Sequence, residues 1–375
     1  MKKIIALALC IMFSFSNTVF AVDGTAITTT NTVIANEPQK FSIAEAISYA
    51  KEHNYDIILA KIDEENMKTS KKSAKEAEST AKDSYAENKE NDNFSNYKTR
   101  NGYNILSVKN QEKLLNLKNT QKVLSLEISV ETAYYNLSEK KTTYDIKKRT
   151  TDQIANQLNI AENKLKNGSI SQLDYKKVEL EKGSADVALM SSEADYKKAM
   201  FDFNQILGLP IMQQVILTDE IVPFTYVIPT FDEKFEELKA TDTTYVQYVL
   251  NKDLSESENR LTRAYYGSNS DQYKQLLKTE DQTKINFNRY FETMQYNLIF
   301  NIINLNIAAR NITLDDQSIQ ISKLTLDATK HKYLVGLISD MDMITAELNY
   351  QNAELKYVQQ LHSYKTQVLK FKNNI

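Results

Sequence analysis

Apolar residues recur every seven positions along two long stretches of the chain. The first stripe contains Leu137, Tyr144, Thr151, Leu158 and Leu165, and the second contains Leu305, Ile312, Ile319, Leu326 and Tyr333. Beyond Gly168 and Gly336 the same spacing resumes in a new phase, at Leu173, Leu180, Val187, Ala194 and Phe201 and at Met341, Leu348, Leu355, His362 and Leu369. A sustained seven-residue repeat predicts supercoiled α-helices that bury the stripe. The change of phase at the two glycines predicts that the chain reverses there, which gives two antiparallel helical hairpins, with the first arm running from about Glu112 to Lys166.

The two hairpins are copies of one unit. A shift of 168 residues aligns residues 158–203 with residues 326–371 without a gap, and both copies contain a Gly-x-Ile-Ser-x-x-Asp block. Glycine suits the left-handed position that follows a helix C-terminus. Ser171 and Ser339 are then predicted to cap the returning helices, with Asp174 and Asp342 in their first turns. An acid at this position stabilises a helix start whatever its function, so a structural role for the two aspartates is favoured over a functional one.

A weaker repeat at an offset of 190 residues precedes each hairpin and sets the domain organisation. It relates Phe41, Ala50, Tyr55 and Asp63 to Phe231, Ala240, Tyr245 and Asp253. Ser42-x-x-Glu45 forms a capping box that predicts a helix start. We therefore assign residues 40–208 to the first repeat and residues 231–375 to the second. The linker, residues 209–230, contains three prolines and a possible short strand at 221–228.

The N-terminus has the pattern of a secretory signal peptide. Lys2 and Lys3 precede an apolar run from Ile4 to Phe15, and Ala21 suits the position before a cleavage site. The run is too short to span a bilayer as a helix, so residues 1–21 are predicted to be removed. Cys10, the sole cysteine, would be lost with them. Residues 22–39 are rich in Thr and Asn and are predicted to be a flexible leader.

The amino-acid composition and the motifs of the chain limit the classes of function that it can have. The chain has only 7 Gly and 4 Pro in 375 residues, which favours long uninterrupted elements. Its net charge of −3 is evenly mixed, which argues against a nucleic-acid partner. No nucleophile, phosphate-binding or dinucleotide motif is present, and His53, His331 and His362 lack metal-ligand spacing. We therefore expect no enzyme activity, no cofactor and no metal.

Four features of this layout resemble the TolC-like outer membrane efflux proteins. They are Phe41-Ser-Ile-Ala-Glu-Ala46, the tip Asn167-Gly-Ser-Ile-Ser-Gln-Leu-Asp174, the tip Val335-Gly-Leu-Ile-Ser-Asp-Met-Asp342, and Leu207-Gly-Leu-Pro210. The resemblance covers roughly residues 40–210 and 231–375, and the tip at Val335 is its most specific part. It implies an all-α protomer of two tandem helical hairpins, a coiled-coil tunnel of twelve helices in a homotrimer, and a place in the cell envelope. It also implies efflux or secretion together with a periplasmic adaptor (membrane fusion) protein and an inner-membrane transporter.

The same resemblance assigns site residues. The adaptor-binding tip would comprise Val335, Gly336, Leu337 and Ser339 in the second copy and Gly168, Ile170 and Ser171 in the first. Asp174, Asp340 and Asp342 would form acids at the tunnel mouth, where rings of aspartate select cations. The chain departs from the family pattern at Asn54-Tyr55-Asp56, which stands in place of Asn-Pro-Asp, and at Ile338 and Thr345, which replace a basic and an acidic tip residue.

The sequence shows few features of the membrane-spanning β-strands that this family would require. Each protomer would supply four membrane strands, within residues 82–108 and 255–285. Residues 82–100 are charged and amide-rich, only Tyr103–Val108 suggests a strand, and residues 255–285 lack alternating apolar positions. We therefore expect little or no β-barrel portion. The alternative to a duct is a secreted coiled-coil protein with a structural or surface-interaction role.

Overall fold

The computed structural model describes residues 37–89, 92–220 and 222–375, without the side chains of residues 340 and 341. The predicted signal peptide and residues 22–36 of the predicted leader lie outside the described residues. Within them the chain forms nine helices and two three-residue strands, so the predicted all-α class is confirmed. The helices are α1 (Ile43–His53), α2 (Tyr55–Glu87), α3 (Phe94–Arg100), α4 (Tyr103–Lys166), α5 (Gln172–Leu207), α6 (Phe231–Thr241), α7 (Thr243–Tyr266), α8 (Asp271–Leu334) and α9 (Asp340–Asn373).

Two helical hairpins, α4–α5 and α8–α9, dominate the fold as the heptads predict. Helices α4 and α8 each contain 64 residues, which corresponds to about 96 Å at about 1.5 Å per residue. The first arm is therefore longer than predicted, because it begins at Tyr103 rather than near Glu112. No glycine or proline interrupts residues 103–166, so the helix continues without a break.

A second helix follows each returning arm end to end. The Asn54 side chain, which caps α2, donates a hydrogen bond of 3.0 Å to the Ile206 carbonyl in the last turn of α5. In the second repeat, the Asn374 amide donates to Thr241 Oγ1 at 2.8 Å, where α9 ends beside the start of α7. Consequently α4 packs against α5 along one half of its length and against α2 along the other.

The four long arms form one layer in the order α5–α4–α9–α8. Thr151 Oγ1 donates to the Ala185 carbonyl between α4 and α5, and Lys365 Nζ lies 2.6 Å from Glu131 Oε1 between α9 and α4. Lys356 completes the order with an ion pair of 2.7 Å to Asp315 on α8. Helices α4 and α9 therefore have neighbours on both sides, whereas α5 and α8 form the edges of the layer.

Each repeat has its own core near the linker. In the first, Tyr134 and Phe203 are fully buried against Phe41, which precedes α1. In the second, Phe235 of α6 packs with Met294, Leu298 and Phe371. The capping box at Ser42 and Glu45 is confirmed, and Thr230 with Glu233 forms the same motif at the start of α6.

The only strand pair among the described residues joins the linker to the chain before α1, and its linker strand is not at the predicted position. β1 (Gln39–Phe41) pairs in parallel with β2 (Val215–Leu217). The prediction of a strand at 221–228 is therefore wrong for the described residues 222–228, which have no hydrogen-bonded partner strand. The strand forms at 215–217 because the entering chain before α1 supplies a partner there.

The described residues of the two segments considered for membrane strands are helical or lie in short turns. The suggested strand Tyr103–Val108 is wrong, because these residues form the first turns of α4. Helix α3 lies across this end of the layer, where Arg100 pairs with Asp92 at 2.7 Å and stacks on the rings of Tyr85 and Tyr97. No helix in the described part of the chain is long and apolar enough to cross a bilayer.

Candidate functional site: hairpin tips and edge helices

The first hairpin tip is built by a Schellman motif at the end of α4. The Ser169 N–H donates to the Lys164 carbonyl at 2.7 Å, and the Gly168 N–H donates to the Leu165 carbonyl at 2.9 Å. These two bonds satisfy carbonyls that the helix end leaves unpaired. Gly168 adopts a φ of +70°, the left-handed conformation that the motif requires. The predicted chain reversal at Gly168 is confirmed.

The second tip repeats this geometry. The Leu337 N–H donates to the Lys332 carbonyl at 2.9 Å, the Gly336 N–H donates to the Tyr333 carbonyl at 2.9 Å, and Gly336 has a φ of +73°. The two corners are therefore the same motif at equivalent positions of the repeat. Leu334, Val335 and Leu337 are exposed around the second corner, with Leu337 at 74 %. A compact turn thus presents large apolar side chains to solvent.

A serine caps each returning helix, as the sequence predicts. The Asp174 N–H donates to Ser171 Oγ at 3.1 Å, and the Asp342 N–H donates to Ser339 Oγ at 3.2 Å. In return, both serine hydroxyls donate to the aspartate carboxylates, and the Ser339 N–H donates to Asp342 Oδ2 at 3.0 Å. These hydrogen bonds define the local structure of both tips.

The same bonds control the charge of the tip acids. The hydrogen bond from the Ser171 hydroxyl, followed by that from Lys177, lowers the pKa of Asp174. The Ser339 hydroxyl and backbone N–H lower the pKa of Asp342. Both carboxylates are exposed and ionised at neutral pH, and both stabilise the start of a helix. Their helix-capping role is thus accounted for, and Asp340 begins α9 beside them.

A groove joins the two tips. Its volume is about 280 Å³, and its lining consists of residues of the first hairpin, among them Ala161, Ile170, Asp174 and Val178, together with Ser339 of the second hairpin. Predicted tip residues from both copies therefore lie in one place. Val335, Gly336 and Leu337 form the exposed corner next to Ser339 rather than part of the groove lining.

The edge helix α5 differs from the heptad prediction. Its stripe of Leu173, Leu180 and Val187 was expected to be buried, but all three side chains are exposed, Leu180 at 73 %. The opposite face of α5, which includes Ser192, Ala199 and Phe203, packs against α4 instead. The helix therefore has two apolar faces, and the heptad pattern identified the outer one.

The other edge helix, α8, carries an exposed stripe that the sequence reasoning missed. Phe300, Ile307, Leu314 and Ile321 recur every seven residues, and Ile303 and Leu324 lie three residues after Phe300 and Ile321. The buried stripe of Leu305, Ile312, Ile319 and Leu326 lies on the face toward α9, where these residues are buried or half-buried. A test for two offset heptads in one helix would have revealed the second stripe.

The histidines do not assemble into a ligand cluster. His362 is buried between α9 and α4 against the ring of Tyr135, and His53 stacks on Tyr49. No group of three or more potential metal ligands occurs among the residues that the structure describes.

One layer of long helices built from a repeated hairpin defines the class of fold, an all-α protomer of tandem helical hairpins. Comparison with solved structures identifies it: the chain has the TolC-like fold. VceC, an outer membrane protein of Vibrio cholerae, is 10 % identical with a TM-score of 0.60, over 88 % of this chain and 94 % of VceC. The open MtrE outer membrane channel of Neisseria gonorrhoeae is 12 % identical with a TM-score of 0.60, over 88 % of each chain. The CmeC outer membrane channel of Campylobacter jejuni is 12 % identical with a TM-score of 0.55, over 72 % of this chain and 67 % of CmeC.

At these identities the likeness concerns the fold. No protein-family model and no curated protein sequence matches the chain. The structural neighbours named above are channels or outer membrane proteins rather than enzymes.

Proposed function

We propose that this chain is one protomer of a homotrimeric, TolC-like duct in the cell envelope, which carries small molecules or proteins in efflux or secretion. In this proposal the hairpin tips dock a periplasmic adaptor protein that links the duct to an inner-membrane transporter. The duct acts through its shape and charge, without catalysis. The observation that carries the proposal is the pair of exposed heptad stripes on the two edges of the helical layer.

The two stripes are complementary in position and direction. Leu180 lies twelve residues after Gly168, and Leu324 lies twelve residues before Gly336. Met190 and Leu314 are likewise each twenty-two residues from their tip glycine. Helix α5 runs away from the tip and α8 runs toward it, so an α5–α8 contact between copies would continue the alternating helix directions of the layer.

Such a contact is heterologous, because it joins two different surfaces of the same chain. Heterologous contacts close into rings when the rotation between copies permits. A ring of three copies contains twelve long arms and leaves no edge helix exposed. Burying apolar stripes in this way would stabilise the assembly by about 25 cal/mol for each Å² removed from water.

The tips supply the second element of the proposal. Leu337 and Val335 form an exposed apolar corner, and the groove between the tips is lined by Ile170 and Ser339. Large apolar side chains that remain exposed at a rigid turn suit a protein partner. We assign adaptor binding to this surface, with Asp174, Asp340 and Asp342 as the acids that would face the tunnel mouth.

Native mass spectrometry of residues 22–375 tests the assembly. We expect the parent chain to form a trimer. The double variant Leu180→Glu with Val187→Glu should be monomeric, because the contact would bury unpaired carboxylates at a high cost in free energy. Glu179→Lys is the matched control, since this exposed residue directly precedes Leu180 and lies about a quarter turn away from the stripe, so its substitution should leave the trimer intact. A monomeric parent chain would contradict the duct and favour the structural coiled-coil alternative.

Cross-linking in the source cell tests the tip assignment separately. A cysteine at Leu337 should capture an envelope adaptor with a short thiol-reactive cross-linker, and a cysteine at the exposed Thr325, three turns up α8, should not. Equal capture from both positions, or capture from neither while the trimer persists, would remove the tip assignment and leave the duct assembly standing.

A further inference from the structure

The layer of long arms has two different faces. On one of them, the outer face, the linker and the short helices α1 and α6 pack against the arms. The Tyr134 hydroxyl of α4 donates to the Phe41 carbonyl there, and Phe224 of the linker stacks on Tyr364 of α9. Ile302 of α8 packs against the same second core. A residue two positions after any of these arm residues lies about 160° around its helix, and therefore on the opposite, inner face.

The contact between α4 and α9 supports this assignment of faces. Thr366 is two positions after Tyr364, and its hydroxyl lies 3.4 Å from that of Thr132. Gln359, one heptad earlier on α9, donates to Glu139 at 2.9 Å. The inner faces of α9 and α4 therefore join into one surface.

The inner face is uncharged and polar over four successive heptads on three of the four arms. Each of the twelve side chains in these stripes is an asparagine, glutamine, serine or threonine, and none of them is buried. The stripes contain every seventh residue from Asn136 to Gln157 on α4, from Asn304 to Thr325 on α8, and from Thr345 to Thr366 on α9. The outer face of α4 carries charges over the same length, among them Lys141, Asp145 and Lys148.

The fourth arm, α5, adds balanced charges to the inner face. Lys177 and Lys198 are the two ends of its equivalent stripe, with two serines between them. Both lysines form ion pairs within α5, since Lys198 lies 2.6 Å from Asp202 and Lys177 lies 3.4 Å from Asp174. This stripe therefore adds no net charge.

In the proposed ring the inner face becomes the wall of the tunnel. The linker, α1 and α6 add bulk to the outer face, and a layer that closes into a ring has room for such bulk only on its convex side. The polar stripes of α4, α8 and α9 then line the shaft above the hairpin tips.

We propose that the shaft of the duct has an uncharged, hydrogen-bonding wall and that its substrates are neutral hydrophilic solutes. Amide and hydroxyl side chains accept and donate hydrogen bonds to such solutes. A ring of like charges would concentrate ions of one sign and repel the other, and the stripes supply no such ring. They also offer an apolar solute little surface on which to leave water. The inference rests on the proposed duct, because the inner face becomes a wall only in the closed ring.

Thiol reactivity in the trimer tests the wall. The chain from residue 22 onward contains no cysteine, so Asn304→Cys introduces a single thiol on the inner face and Lys148→Cys a single thiol on the outer face. Cationic, anionic and neutral methanethiosulfonate reagents are compared at low ionic strength, on samples that native mass spectrometry shows to be trimers. We expect the cation-to-anion ratio of rates at Asn304→Cys to be within about twofold of the ratio for a free thiol. A bulky PEG-maleimide should label Lys148→Cys at least about tenfold faster than Asn304→Cys, because access to the inner thiol is restricted.

An added acid calibrates the measurement. Asn311→Asp places three carboxylates in the trimer one heptad, about 10 Å, from the Asn304→Cys thiols. It should raise the cation-to-anion ratio there about fivefold at low salt. The same substitution should leave the ratio at Lys148→Cys and the rate of the neutral reagent unchanged.

Three outcomes would overturn the proposal. A ratio at Asn304→Cys that departs about tenfold from that of a free thiol would show a charged wall and leave the duct standing. Equal labelling of both thiols by the bulky reagent in a trimer would place the polar stripes on the outside of the assembly. A monomer in native mass spectrometry would remove the duct and this inference together.

Discussion

The backbone of Gly208 lies directly against the carbonyl group of His53. A Cβ atom at position 208 would lie 2.8 Å from the His53 oxygen, and Gly208 has a φ of +78°. This close approach places the C-terminus of α5 against the junction between α1 and α2, next to the hydrogen bond from Asn54 to Ile206. It is the contact that lets α2 continue the line of α5 along α4.

Replacing Gly208 by alanine should therefore destabilise the first repeat. The left-handed backbone costs a non-glycine residue about 1–2 kcal/mol, and the contact with backbone atoms of His53 adds to this, so we expect a total loss of at least about 2 kcal/mol. Gly183→Ala is the control, because Gly183 is inside α5 with open space around its Cα, and alanine there should stabilise by up to about 1 kcal/mol. Chemical denaturation of both variants measures the difference. Equal stability of the two would contradict the close approach.

The tip glycines should tolerate substitution better. Gly168 and Gly336 have positive φ, but nothing lies within 4 Å of an added Cβ at either position. Replacement by alanine should lower the free energy of unfolding by only about 1 kcal/mol at each tip, which is the cost of the left-handed backbone conformation. Replacement by asparagine should cost less, because asparagine adopts the left-handed region more readily. Thermal unfolding of Gly168→Ala, Gly168→Asn and the matching Gly336 variants tests this order. A loss at the tips as large as at Gly208 would be inconsistent with the open surroundings.

A buried tyrosine ties the linker to the first repeat. The Tyr134 hydroxyl donates to the Phe41 carbonyl at 3.0 Å and accepts from the Asp219 N–H at 2.7 Å. Tyr134→Phe would remove the acceptor of the Asp219 N–H, whereas the Phe41 carbonyl keeps its hydrogen bond of 3.0 Å from the Thr218 N–H, so we expect a loss of about 1–3 kcal/mol in the free energy of unfolding. Tyr350→Phe removes a hydroxyl bonded to Glu354 on an exposed helix face and should cost less than about 0.5 kcal/mol. Equilibrium denaturation of the pair is the measurement, and similar losses would argue against a special role for Tyr134.

The hairpin tips could be predicted from sequence because their determinants are local. The Schellman bonds join residues three and five apart, and each serine cap bonds the N–H three residues on. Such motifs need no distant partner, so Gly168 and Ser171 identify the turn and the next helix start by themselves. The adaptor and tunnel-mouth roles of these residues remain proposals, because they depend on a partner and an assembly.

The departures from prediction all depend on distant contacts. The start of α4 has no side-chain cap, since Gly102 precedes it in a left-handed conformation, and Tyr103 is held by a hydrogen bond to Glu258 on α7. Leu180 does belong to a seven-residue apolar stripe. Helix α5 has two apolar faces, however, and the sequence alone does not indicate which of them packs against α4. Residues 222–228 have strand composition, yet a strand is formed only where a partner backbone is present.

A buried imidazole makes the contact between the two repeats sensitive to pH. Burial, followed by the positive charge of Lys365, lowers the pKa of His362 to about 4, against the opposing effect of a hydrogen bond to the Thr132 backbone. Tyr135 packs against the ring, and Glu131 pairs with Lys365 nearby. In the unfolded chain the imidazole has its ordinary pKa of about 6.5, so the unfolded state binds a proton first as pH falls.

The stabilising contribution of neutral His362 is therefore complete above about pH 6.5 and is lost progressively down to about pH 4, below which both states are protonated. A shift of this size corresponds to a few kcal/mol. We expect His362→Leu to reduce the fall in unfolding free energy between pH 7 and pH 4.5, whatever its stability at pH 7. Carboxylates contribute equally in both proteins, so the difference between the two denaturation series isolates the imidazole. Parallel pH profiles for parent and variant would show that this imidazole is not buried in the neutral form.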